Sequence, residues 1–181
     1  MQKIEDAHIK QRVEKLFKNV AASDREQVIR DFQPALQLRG DQRRGAAIFA
    51  KACLGCHAIQ DAGKQVGPDL SGLASRPKEA LLADILDPSR QVSPDFLSYT
   101  LVTTGGETWT GLIASETAVS VTLRRQGQPD ETVLRKQIKE LRADGKSLMP
   151  EGLEQGMSHQ DMADLLEFLR QPDRTLLPTE N

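Results

Sequence analysis

Two cysteines, Cys53 and Cys56, stand three positions apart, and His57 follows the second directly. Thiols at that spacing can each add across one vinyl group of a haem, forming two thioethers. The adjacent histidine then falls under the ring, where a ring nitrogen can reach the iron. These are the only cysteines in the chain, so no disulfide framework competes for them. A structural zinc site would need a second Cys/His pair, whereas His8 and His159 stand alone. A dithiol oxidoreductase has no need of the neighbouring histidine, and its motif opens a helix after a strand. Here a helical pattern precedes the motif instead, so the residues point to one covalently attached haem on Cys53, Cys56 and His57.

Several elements must hold that motif in place. Asp41 is a suitable N-cap for a helix from Gln42 to about Ala52, with Gly45, Phe49 and Cys53 on one face. A glycine inside a helix costs about 1 kcal/mol relative to alanine, so Gly45 implies close approach by another helix. The expected partner spans about His159 to Arg170, capped by Ser158 with Asp161 three residues on, and has Met162, Leu165, Leu166, Phe168 and Leu169 on its apolar side. After the motif, residues 61–70 form a polar loop containing Gly67-Pro68. A carbonyl there, with Pro68 the candidate, can accept the second ring N–H of His57, which sets its tautomer and raises its basicity. A short helix then starts at Pro77 and runs to about Leu86, with Leu81, Leu82, Ile85 and Leu86 facing inward.

A sixth ligand for the iron is sought among the methionines. Met149 lies in Gly145–Leu153, a loop just ahead of the last helix, and Pro150 holds its backbone extended. That arrangement suits a thioether presented to the distal face, and a His/Met pair raises the potential of the iron. Met157 and His159 are the reserves, and His8 is remote. Methionine in general is more often core filler, and Met162 falls within the last helix.

Between the motif and the methionine the periodicity changes. From Phe96 to about Leu141, Leu97, Tyr99, Leu101 and Thr103 alternate with smaller residues, and Gly105-Gly106 signals a hairpin. Thr108 to Ala114, Val119 to Leu123 and Glu131 to Arg135 read as further strands, and Ile138 and Leu141 close a small core. The expectation is a four- to five-stranded antiparallel module, a small barrel or curled sheet. Tyr99 and Trp109 can face either the haem or that core.

Ahead of the motif, residues 3–20 are spaced as an amphipathic helix, and Ser23 with Glu26 fits a capping box for a second. Val28, Ile29, Phe32 and Leu36 continue that second helix, with Pro34 marking a kink. These helices can be the tail of a helical array or a brace on the haem domain. The expected division is 1–39 as this extension, 40–95 with 142–172 as the haem domain, 96–141 as the inserted β module, and 173–181 as a tail. The 181 residues suit one domain carrying such an insertion and extension. The 24 basic and 26 acidic residues nearly balance, which gives no argument for nucleic acid or an anionic membrane. No apolar run approaches membrane-spanning length, and the first residues lack a secretory core. Thioether attachment of haem goes with export, so the chain is expected to be a mature fragment or an excised portion of a longer exported protein, periplasmic or otherwise extracytoplasmic.

The ordered set Gly45, Phe49, Cys53, Cys56, His57, Gly67–Leu70, Ser147–Leu153 and Asp164–Leu169 resembles class I c-type cytochromes. With the β-rich insertion before the methionine loop, residues 40–170 resemble the haem-binding domain of planctomycete and verrucomicrobial membrane-bound dehydrogenases. The resemblance implies a mainly α cytochrome c fold with an inserted antiparallel β module, α+β overall, preceded by N-terminal helices. It implies haem on Cys53 and Cys56, iron held by His57 and Met149, and helical repeats ahead of the domain. The function it implies is one-electron transfer from a dehydrogenase donor, fused or separate, to a downstream acceptor, without catalysis by this chain. Two other functions remain open: a haem enzyme or gas or redox sensor with a labile distal position, and a module that docks a partner through the β insertion.

Overall fold

The computed structural model describes residues 25–178, so the helix expected over 3–20, its His8 and the Ser23 cap lie outside the described residues. Helix α1, Arg25–Phe32, gives way to a 3₁₀ turn, Gln33–Gln37, at Pro34. Proline has no N–H with which to continue the α ladder, so the helix tightens and ends there. Helix α2, Gln42–Ala52, starts where Asp41 accepts from the Arg44 amide. A two-residue hairpin, β1 Ala58–Ile59 and β2 Ala62–Gly63, follows the Cys53–His57 stretch, and helix α3 spans Lys78–Leu86 with Pro77 as its N-cap. Helix α4, His159–Arg170, opens on a full capping box between Ser158 and Asp161.

Between α3 and α4 lies one five-stranded antiparallel sheet in the order β6-β5-β4-β3-β7. Its strands are β3 Leu97–Thr103, β4 Thr108–Glu116, β5 Ser120–Arg124, β6 Glu131–Leu134 and β7 Ile138–Ser147. Strands β6 and β7 are the two edges, and bulges interrupt the β3–β7 and β4–β5 ladders, which is how a small sheet bends. Strand β7 continues six residues past Leu141, so sheet runs nearly to Met149. Four helices and this sheet make the described chain mixed α+β.

Two cores result. The helical one gathers Phe49, Ile59, Leu82, Leu86, Leu166 and Phe168, with Val28, Ile29, Phe32 and Leu36 packed against it. The smaller one joins Leu101, Leu123 and Val133 under Trp109, Ile113, Ile138 and Leu141. Trp109 thus faces the core of its own module, and the Arg125 guanidinium covers its ring at 5.1 Å.

The α2–α4 crossing sets the frame for the site. A Cβ on Gly45 would stand 2.0 Å from the Asp164 carbonyl oxygen, so only hydrogen fits there. Phe49 and Phe168 meet beside it with ring centroids 5.3 Å apart. The Asp164 carboxylate is fully buried at this crossing and accepts from the Asp41 amide (2.7 Å), Gln160 Nε2 (2.8 Å) and Arg44 Nε (2.5 Å). Burial alone would raise its pKa, but the bonds from Arg44, Gln160 and Asp41 hold it below the ordinary 3.8. A carboxylate depressed on folding contributes its full stability above 3.8 and loses it as pH falls through the lower folded value. Asp164→Asn should therefore remove about 2–3 kcal/mol at neutral pH, less than a wholly buried pair because Arg44 reaches solvent. That deficit should shrink under acid. Urea unfolding at pH 7 and below pH 3.8 measures both, and a deficit independent of pH would contradict the account.

Candidate functional site

Helix α2 delivers Cys53 at its C-cap, and a tight turn follows. The Cys53 carbonyl accepts from the amides of Cys56 (3.0 Å) and His57 (2.9 Å), which folds Cys53 to His57 into one loop and brings both thiols and the imidazole together. The next segment closes on this turn. Val66 and Gly67 donate their amides to the Cys56 carbonyl at 2.9 and 2.7 Å, and Lys64 donates to that of Leu54 at 3.2 Å. The β1–β2 hairpin makes this return possible through Gln60 (φ 45°) and Asp61 (φ 64°), both left-handed. Two-residue hairpins of that type need positive φ at both central positions, a conformation usually supplied by Asn-Gly. Gln60 and Asp61 carry no such signal, so the sequence gives no sign of this turn at the start of the polar loop. The Ser71 hydroxyl accepts from the Gln60 amide at 2.8 Å and helps to hold it.

His57 is oriented from two directions. Its Nδ1 lies 2.9 Å from the Pro68 carbonyl, which can only accept, so the proton is on Nδ1 and the Nε2 lone pair is left for a metal. The ring rests on Gly67, where a Cβ would stand 2.6 Å from Cε1 and 2.8 Å from Nδ1. Burial lowers the His57 pKa, and the Pro68 bond opposes it only in part, which favours the neutral form a ligand needs. The backbone partner expected from Gly67-Pro68 is thus the one present.

The cysteines are half-buried and not joined to each other. Burial pushes the Cys53 thiol up to about 12, with the neighbouring Cys56 adding to the effect, and burial raises Cys56 too. A dithiol oxidoreductase depends on the opposite shift, a lowered thiol pKa. Cys53, Cys56, His57 and Pro68 thus come together in one turn: two unjoined thiols beside an imidazole of fixed tautomer.

Met149 is held separately. It is half-buried in the segment between β7 and α4, its amide donates to the Ser147 hydroxyl (3.1 Å), and the Ser147 amide donates to that of Ser89 (3.3 Å). The reserve residues are engaged elsewhere: His159 sets its ring edge-on to Phe32 at 5.3 Å, and Met157 packs against the helical core. Met162 is fully buried in that core.

The β module approaches the motif and bonds to the segment after it. Arg124, clamped by Asp130 (2.8 Å), donates through Nη1 to the Gln65 carbonyl at 3.3 Å, and Gln126 Nε2 lies 3.3 Å from where a Cβ on Gly55 would be. A cleft of about 640 Å³ separates the β5–β6 turn from residues 64–66. Sequence periodicity could place the strands but carried no signal for this contact, which joins residues 59 apart. Among the described residues no helix is long and apolar enough to cross a membrane. The family model described as Cytochrome c matches residues 42–96, from the start of α2 to the residue before β3, and this match supports a c-type cytochrome, a haem-binding electron-transfer protein.

Proposed function

We propose that the chain carries one electron at a time on a single haem c held by Cys53 and Cys56, with His57 Nε2 on one side of the iron and the Met149 thioether on the other. The observation that carries this reading is the seating of His57 between Gly67 and the Pro68 carbonyl, directly after the two thiols. When bound, the haem supplies a one-electron couple. The protein supplies the rest. Pro68 strengthens His57 as a donor by accepting its Nδ1 proton, and Met149, a weaker donor than imidazole, favours the reduced iron. A carrier of this kind needs a rigid iron environment and no acid–base group. The electron donor is a dehydrogenase, fused or separate, and a second partner takes the electron onward. The compartment is extracytoplasmic, in keeping with covalent haem attachment. The resemblance to dehydrogenase-associated haem domains supports the choice of donor.

Visible spectra of the oxidised and reduced holoprotein test the ligands. A six-coordinate low-spin haem with a methionine-to-iron charge-transfer band is expected, and Met149→Ala should abolish the band. A high-spin ferrous protein that takes up carbon monoxide at once would instead make the chain a sensor or haem enzyme.

A further inference from the structure

Helix α1 reaches the segment that carries Met149. Arg25 donates through Nη2 to the Glu154 carboxylate at 2.7 Å and through Nε to the Leu86 carbonyl at 2.5 Å, where α3 ends. Both charged side chains are shielded, 11% and 8% exposed, so this pair differs in kind from Arg30–Glu26 on the same helix, which is 60% and 66% exposed. An exposed pair contributes little, whereas a shielded carboxylate stripped of its cation is costly, and the backbone bearing Glu154 stays where Arg25 holds it. At the other end of α1, Phe32 sets its ring edge-on against His159. Glu154 and His159 lie five and ten positions after Met149, so α1 grips the segment at both points. On the near side, Ser89 holds Ser147, two residues before the methionine.

We infer that α1 is a clamp on the distal loop, and that Arg25 is the positioning residue that keeps Met149 over the iron. The inference rests on Met149 being the sixth ligand. It assigns residues 25–37 to the haem domain as a brace, the second of the two roles the sequence allowed them. It also makes the N-terminal side of the chain a place from which the distal position can be loosened, because whatever displaces α1 withdraws the cation from Glu154.

The test uses the holoprotein with carbon monoxide as the probe of an open distal position. Met149→Ala comes first: rapid ferrous carbon monoxide binding and loss of the charge-transfer band support the ligand assignment, while parental behaviour overturns it whatever Arg25 does. With that established, Arg25→Ala should bind carbon monoxide about tenfold faster than the parent, or more, and weaken the band, since a charge-assisted bond to a shielded group is lost. Arg25→Lys, which keeps the charge, should restore most of both signals. If Arg25→Ala does not fold, Glu154→Gln removes the same ion pair and carries the same expectation. Parental carbon monoxide kinetics and an intact band in the folded variant overturn the clamp.

Discussion

Replacing Gly67 by alanine should weaken the hold of His57 on the iron by a factor of about 10–100, the usual cost of disturbing a ligand's outer partner. The added methyl would stand 2.6 Å from Cε1 and 2.8 Å from Nδ1 of the imidazole, far inside van der Waals contact. The ring cannot shift away without lengthening its 2.9 Å bond to Pro68, and Gly67 is itself held by its amide to the Cys56 carbonyl. Movement of either partner thus disturbs the ligand. The thioethers would keep the haem on the chain, so the loss should appear in coordination and not in haem content. On warming, the ferric variant should turn from low-spin to high-spin at a lower temperature than the parent, and the His57 Nδ1 proton should exchange faster with solvent. Unchanged spin state and unchanged exchange would show that the ring is not seated on Gly67 as described.

Gly45→Ala acts on the scaffold. Its Cβ would meet the Asp164 carbonyl oxygen at 2.0 Å and the Phe168 Cβ at 2.8 Å. The closest of these atoms is backbone, so no rotamer change relieves the contact and the two helices must separate. Overpacking of this kind typically costs about 1–3 kcal/mol. Alanine returns up to about 1 kcal/mol of helix propensity, but separation also pulls Arg44 from Asp164 and Phe49 from Phe168, so a net loss of about 2–3 kcal/mol is expected. The midpoint of urea unfolding, with an unchanged slope, is the measurement. A variant as stable as the parent would mean that α2 and α4 do not meet at Gly45. Because Cys53 is the C-cap of α2, the same variant should also loosen the haem motif relative to α4.

The β module acquires a role from its contact with the motif. Its β5–β6 turn lies against Gly55, between the two cysteines, and Arg124 bonds to Gln65 in the segment that leads to Pro68. The inserted sheet therefore borders the Cys53–His57 turn through Gln126, next to the exposed Gly55. Arg124 reaches Gln65 already oriented by Asp130, so the contact belongs to a preformed hairpin and not to a loose loop.

What the sequence determined by itself was local. The Cys53–His57 spacing points to haem attachment because a thioether motif is a matter of neighbouring residues. Asp41 and Ser158 mark helix starts because a cap bonds to amides two or three positions away. Gly45 pointed to a close crossing, and alternation located the strands, since both are periodic signals within one element. Gly67-Pro68 foretold an acceptor for His57 because only eleven residues separate the two groups. Tertiary structure decided the rest. The left-handed Gln60-Asp61 turn carries no residue that prefers it and stands because the segments on either side are bonded to one another. Strand β7 runs past Leu141 to Ser147 because pairing with β3 overrides a polar sequence that includes Gly145. Arg25 and Glu154 are ordinary charges in the sequence, 129 residues apart, and become a shielded ion pair only when α1, α3 and the methionine segment converge. Contacts of that range have no periodicity and no motif; they exist only once the chain has packed, and the bonds of Arg124 to Gln65 and of Arg25 to Glu154 are of this kind.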